Sequence, residues 1–203
     1  MISYQFLITS LIVVLIPGTG VIFTVSTGIA QGRKAGIYAA IGCTAGIVPH
    51  LFATILGLAA IMHTSAIAFQ TLKYAGSLYL LYVAYATWKD SCAFSFEENR
   101  SKSSAGALIV KALLLNILNP KLTIFFLAFL PQFVQPNSGS LSQLLILSGV
   151  FMAMTFVVFA IYGCLAHAFR RTVVESEPVQ AWMRRSFAAA FAGLGIHLAF
   201  SEK

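Results

Sequence analysis

The sequence predicts an all-α, polytopic membrane protein: six transmembrane helices forming two inverted three-helix repeats, with helices 1 and 4 broken. Three observations carry this expectation. Hydrophobic residues make up 59% of the 203 residues and charged residues 9%, with a mean hydropathy of +0.86. A soluble domain carries about 45–50% apolar and about 25% charged residues. Six apolar stretches recur, roughly 4–29, 37–62, 66–88, 107–131, 141–168 and 186–200, and most reach the ~20 residues a spanning helix needs. The first and fourth are interrupted by prolines in matching places, Pro17 and Pro120, 103 positions apart.

The first stretch has neither a basic leader nor a small-x-small cleavage site before a loop, so it is expected to remain as an uncleaved span. It is interrupted at Leu15-Ile16-Pro17-Gly18-Thr19-Gly20. The second holds Gly42, Gly46, Pro49 and His50. The third carries Tyr79, Tyr82 and Tyr85 at every third position, and hence on one helical face. The fourth is interrupted at Ile117-Leu118-Asn119-Pro120-Lys121-Leu122. Shifting 37–62 by 103 overlays the fifth stretch, as an internal repeat requires, whereas stretches 3 and 6 register poorly. The sixth, about 15 residues, falls short of the ~20 a spanning helix needs; it is expected to be tilted, thinly anchored or re-entrant. No stretch shows the period-two polar alternation of a barrel strand. With no domain-sized polar segment, residues 1–203 read as one transmembrane domain.

The basic residues set the threading. Arg33, Lys34, Lys89, Arg100, Lys102, Arg170, Arg171, Arg184 and Arg185 fall in connections on one side, against Lys73 and Lys203 on the other. This nine-to-two bias places the odd-numbered connections in the cytoplasm and both termini outside. The net charge of +7 is therefore an orientation signal and not a nucleic-acid surface. Two sets of three spans must thread in opposite senses, giving an inverted repeat. Cys43, Cys92 and Cys164 are too few and too scattered for disulfides or zinc, and no metal or cofactor site is expected.

The chemistry is expected at the breaks. Asn119 is a favoured N-cap and Pro120 a favoured first helical residue, so a helix is expected to start in mid-membrane with a positively polarised mouth. Lys121 adds a full charge there. A lysine at the bilayer centre costs about 2.5–3.5 kcal/mol on insertion scales, so it should face protein or water. The alternative is a simple kink with Lys121 snorkelling to an interface. Pro17, Gly18, Thr19 and Gly20 offer a second helix start with two glycines, and Ser10, Thr19 and Thr24 offer hydroxyls. Together these two breaks form the expected substrate site, with Tyr79 a candidate lining residue. Such paired breaks point to a transporter site at the bilayer midplane. No Asp or Glu lies in any span. That suits a solute with an anionic group such as a carboxylate better than a cationic one. His50 is the candidate titrating group, because imidazole titrates near neutral pH; a packing role is the alternative. Gly28-Gly32-Gly36 and Gly42-Gly46 have the small-residue spacing of close helix contacts, the latter pair read as packing within the chain. A homo-oligomer stays open.

These residues carry a resemblance to the lysine-exporter (LysE/RhtB) family of amino-acid efflux proteins along essentially the full chain. The matching motifs are Pro17-Gly18, Gln31-Gly32-Arg33-Lys34-Ala35-Gly36, Gly42, Gly46, His50, Gly57-Leu58 and Lys73-Tyr74-Ala75-Gly76-Ser77-Leu78-Tyr79-Leu80. Most specific is Asn119-Pro120-Lys121 followed by Phe125-Phe126 and Phe129-Leu130-Pro131-Gln132-Phe133; Gly193-Leu194-Gly195 fits as well. The resemblance implies proton-driven export of amino acids or their relatives by a six-helix protein of the bacterial inner membrane. Thr19 and Gly20 stand where the family usually has Pro and then Asp or Asn. Ile47 stands in place of an acidic residue, and His197 in place of the usual basic one. With that implied, the expectation is an alternating-access exporter whose partners are an amino-acid substrate, neutral in preference to basic and held by its carboxylate, protons coupled through His50, and lipid. A gated channel or an exporter of another small solute is the alternative. An enzyme is not expected, since the spans hold no His-Glu-x-x-His motif, paired carboxylates or Ser/His/Asp set.

Overall fold

A computed structural model describes residues 2–16, 18–62, 66–89, 103–134, 140–166 and 176–200. Pro17, His63, Cys92, His167 and Lys203 lie outside these residues, as do Asp90, Arg100, Lys102, Arg170 and Arg171. The described residues are helical almost throughout: α1 Tyr4–Leu15, α2 Thr19–Gln31, α3 Arg33–Ala45, α4 Val48–Met62, α5 Ala66–Lys89, α6 Ala105–Ile117, α7 Pro120–Ile124, α8 Ser140–Cys164 and α9 Glu177–Phe200. A π-helical turn, Phe125–Phe129, and a 3-10 turn, Leu130–Phe133, continue α7.

Two stretches are each long and apolar enough to cross a bilayer without a sharp bend, Arg33–Gly57 and Leu141–Cys164. Two more qualify as bent pairs: Tyr4–Leu15 with Thr19–Gln31, bent by 53°, and Ala105–Ile117 with Lys121–Phe133, bent by 59°. Both bends fall where the sequence places its prolines. α9 is longer than the sixth apolar stretch suggested, because it begins at Glu177; its apolar part is only Ala188–Phe200.

Proline chemistry explains the interruptions. A proline lacks an N–H and its ring crowds the carbonyl four residues back. Pro49 thereby leaves Ala45 without its helical donor, and α3 gives way to α4 across Gly46 and Ile47, with the Ile47 N–H turned to Thr44 O at 3.1 Å. Pro131 does the same to Leu127, inside the wide turn at Phe125–Phe129. Elsewhere hydroxyl caps start the helices: Ser3 Oγ accepts from Phe6 N at 3.1 Å and Ser104 Oγ from Ala107 N at 3.3 Å.

Arg33 and Lys34 are not in a loop. α2 and α3 are joined by Gly32 alone, at φ 90° and ψ 175°, a region open essentially to glycine. The two basic residues therefore occupy the first turn of α3.

α3 is the central helix, packed on α2, α6 and α8, while α5 packs chiefly on α9. Glycines set the approach. A Cβ on Gly36 would lie 2.7 Å from Gly163 Cα, and one on Gly28 2.6 Å from Gly163 O. Gly28 and Gly36 thus belong to two helices that share one contact on α8. Gly42 sits against Ile109 and Ala112, and Gly46 against Leu113 and Asn116, so this pair seats α3 on α6. The core between the helices includes Phe6, Phe126, Phe129, Phe151 and Phe191.

Candidate functional site

The two breaks meet. A Cβ on Gly18, the residue that caps α2, would lie 3.3 Å from Lys121 Nζ and 3.8 Å from Asn119 Nδ2. The Lys121 ammonium donates to Val13 O at 3.0 Å and Ile16 O at 2.9 Å. Val13 O is the carbonyl that Pro17, having no N–H, leaves without a helical donor. Tyr162 Oη donates to the next freed carbonyl, Leu15 O, at 3.2 Å. The end of α1 is therefore dressed by side chains from α7 and α8.

The mirror arrangement occurs at the second break. Pro120 leaves Asn116 O without a helical donor, and His50 Nε2 from α4 lies 3.0 Å from it. Asn119 N also turns to this oxygen, at 3.1 Å. At these two breaks the proline-freed carbonyl is thus met by a titratable side chain from the other half of the chain.

The mouth of α7 differs from its expected open form. Pro120 has no N–H, Lys121 N donates to Asn119 Oδ1 at 3.1 Å, and Leu122 N to Asn119 O at 3.1 Å. These donors are spent within the turn. The N-terminus of α2 is more open: Gly18 supplies no side-chain cap. The first-turn N–H groups of a helix have no partner within it, and here those of Thr19, Gly20 and Val21 stand at this end. Thr19 is exposed and Gly20 buried.

Asn116 and Thr123, not singled out by sequence, tie these parts together. Asn116 is 1% exposed; its Nδ2 donates to Cys43 O and its Oδ1 accepts from Asn119 Nδ2 at 3.2 Å. Thr123 Oγ1 lies 3.3 Å from His50 Nδ1 and 3.4 Å from Asn119 O. The available signal was an amide inside an apolar run, three residues before Asn119 and so on its helical face. Thr24 is occupied internally, donating to Gly20 O at 2.8 Å. Ser10 and Ser148, on the packed helices α1 and α8, are fully buried, and their hydroxyls have no partner among the described residues.

An aromatic floor lies beside the network. Phe125 stacks on Phe151 at 4.6 Å, Phe126 meets Phe151 edge-on at 5.4 Å, and the Phe126 ring is 6.3 Å from that of His50. Tyr79 stands apart on α5, half-buried, with its ring 6.2 Å from that of Tyr82. Tyr82, Tyr85 and Trp88 are exposed, and cations crown the end of this face: Lys89 over Tyr85 at 5.9 Å and Arg185 over Trp88 at 6.0 Å. That is the composition of an interfacial belt.

Chemically, the junction offers backbone N–H groups and one ammonium to an acceptor, among side-chain amides and a tyrosine hydroxyl that hold the broken helices. A family model described as LysE type translocator matches residues 11–202. The chain is 30% identical over 197 residues to a protein of Vibrio cholerae named "Uncharacterized membrane protein", covering 97% of this chain and 96% of that one. It is also 30% identical over 196 residues to the homoserine/homoserine lactone efflux proteins of Salmonella typhimurium and Salmonella typhi, covering 97% of this chain and 95% of each. No solved structure was found to match it.

Proposed function

The chain belongs to the family of LysE-type translocators, membrane transporters and not enzymes, and from that premise we propose that it exports a small neutral amino acid, or a close derivative, in exchange for protons. The observation that carries the reading is the Lys121 ammonium held between the end of α1 and the start of α2, beside Gly18.

Two of the three ammonium hydrogens go to Val13 O and Ile16 O. The third, with the N–H groups of Thr19, Gly20 and Val21, forms a donor set for a substrate carboxylate at the positive end of the thirteen-residue α2. Glycine at 18 keeps that space clear. Asn119 and Pro120 act by placing Lys121; Pro17 frees the carbonyl that Lys121 holds. With no carboxylate in any span, nothing there favours a cationic side chain. The phenylalanines of 125–129 and 151 suit a short, largely apolar one. The efflux relatives carry homoserine and its lactone by name. A lactone keeps a carbonyl oxygen where the acid has its carboxylate, so the same donors serve both.

His50 takes the proton. The six spans work as two oppositely threaded sets that rock about the junction, in the inner membrane of a bacterium, with both termini outside. Homoserine-loaded proteoliposomes test this. An imposed pH gradient should drive saturable homoserine movement, and external unlabelled homoserine should accelerate efflux of labelled homoserine. A gated channel would show neither saturation nor acceleration.

A further inference from the structure

We propose that Thr123 relays the protonation state of His50 to the break in the fourth span; the inference rests on the proton-coupling role proposed for His50. The geometry leaves the ring little choice. His50 Nε2 faces Asn116 O at 3.0 Å, and a carbonyl oxygen only accepts, so Nε2 carries a hydrogen. In the neutral ring Nδ1 is then bare, 3.3 Å from Thr123 Oγ1. The threonine hydroxyl has one hydrogen, and it donates it to Nδ1.

A proton that arrives bonds to the Nδ1 lone pair, and no other covalent bond changes. Both ring nitrogens now donate, so Thr123 Oγ1 must accept, and its own hydrogen has to turn away. The acceptor within reach is Asn119 O, 3.4 Å from Thr123 Oγ1. That oxygen already accepts from Leu122 N at 3.1 Å and Thr123 N at 3.3 Å. A third donor therefore competes in the first turn of α7. The same residue caps Lys121 N and bonds Asn116 through its side chain, and Lys121 holds Val13 O and Ile16 O. One hydroxyl rotation thus connects the proton site to the junction of α1 and α2.

No other titratable group among the described residues hydrogen-bonds His50. α4 packs most on α5, α8 and the 125–129 turn, and His50 itself meets α6 and α7 at Asn116 and Thr123. α5 contributes Lys73, Lys89, Tyr74, Tyr79, Tyr82 and Tyr85; α8 contributes Tyr162 and Cys164; α6 contributes Lys111 and α7 Lys121; the turn contributes none. Of these, Lys121 connects to His50 through Asn119 and Thr123; beyond them, Cys43 does so through Asn116.

Asn119-Pro120 is the chain's one Asn-Pro pair. Labelling asparagine carbonyl carbons and proline nitrogens therefore isolates the Asn119 carbonyl signal by NMR, in the full chain in lipid nanodiscs. Acidification should move that signal in the wild type and in Thr123→Ser, and leave it still in Thr123→Val and His50→Gln. A Thr123→Val signal that moves as in the wild type overturns the relay. So does a wild-type signal that stays still while the His50 ring titrates. On the same variants, gradient-driven homoserine export should fall about tenfold in Thr123→Val, within the usual range of coupling energies, and recover in Thr123→Ser. A moving signal with pH-indifferent export would strike the proton-coupling role and leave the relay standing.

Discussion

Lys121 donates its ammonium to the carbonyl oxygen of Val13 at 3.0 Å, an oxygen that Pro17 leaves without a helical donor. A lysine in mid-span is therefore a structural partner of the first break as well as a charge beside it. The contact joins residues 108 apart in sequence and fixes the two bends to each other.

Replacing that ammonium should cost both stability and transport. Lys121→Met leaves Val13 O and Ile16 O without their donor, each at about 1–3 kcal/mol for a buried unsatisfied group. The variant should insert, melt several degrees lower and export nothing measurable. Thermal unfolding in detergent and efflux from loaded cells check the two halves separately; normal export by a destabilised protein would confine Lys121 to architecture.

The junction should be intolerant of bulk at Gly20. An added Cβ would lie 2.9 Å from Asn116 Oδ1 and 3.0 Å from Phe159 Cε2, so Gly20→Ala must displace the amide that ties α3 to α6. A loss of about 1–3 kcal/mol is expected from overpacking. Gly106→Ala is the control: nothing lies within 4 Å of its Cβ, and within helix α6 alanine should stabilise by about 0.5–1 kcal/mol. Melting temperatures that move the same way for both would refute the packing described.

His50→Gln should flatten the pH dependence of export, because an amide cannot take up the proton that an imidazole can. The glutamine keeps a donor for Asn116 O and so preserves the seal on the second break. An export-against-pH curve that matches the wild type would return His50 to packing.

Ser10 and Ser148 should be dispensable for folding. Their buried hydroxyls meet no partner among the described residues, so Ser10→Ala and Ser148→Ala remove a desolvation penalty and should be neutral or stabilising by about 1 kcal/mol. Clear destabilisation of either variant would show that the hydroxyls have partners after all.

The bends were legible because proline acts locally: a missing N–H interrupts its own helix whatever surrounds it, so both fall beside Pro17 and Pro120. Asn119 as a cap was legible for the same reason. The partners were not. That His50 meets Asn116 O, or that Lys121 turns to α1 and not toward the mouth of its own helix, depends on how helices far apart in sequence pack. The glycines that permit that packing, Gly36 against Gly163 and Gly46 against Asn116, gave a spacing but not an address. Gly32 illustrates the limit from the other side: one residue with positive φ replaced the loop that charge pattern alone suggested for Arg33 and Lys34.

The central claim is that the α2 N-terminus and the Lys121 ammonium together hold a substrate carboxylate. Its most direct measurement is competition in homoserine exchange between homoserine and homoserine amide, which lacks the anion, on the wild type and Lys121→Gln. The wild type should prefer the acid by about tenfold, the worth of one charge-assisted hydrogen bond, and Lys121→Gln should erase that preference. An unchanged preference in the variant would contradict the claim.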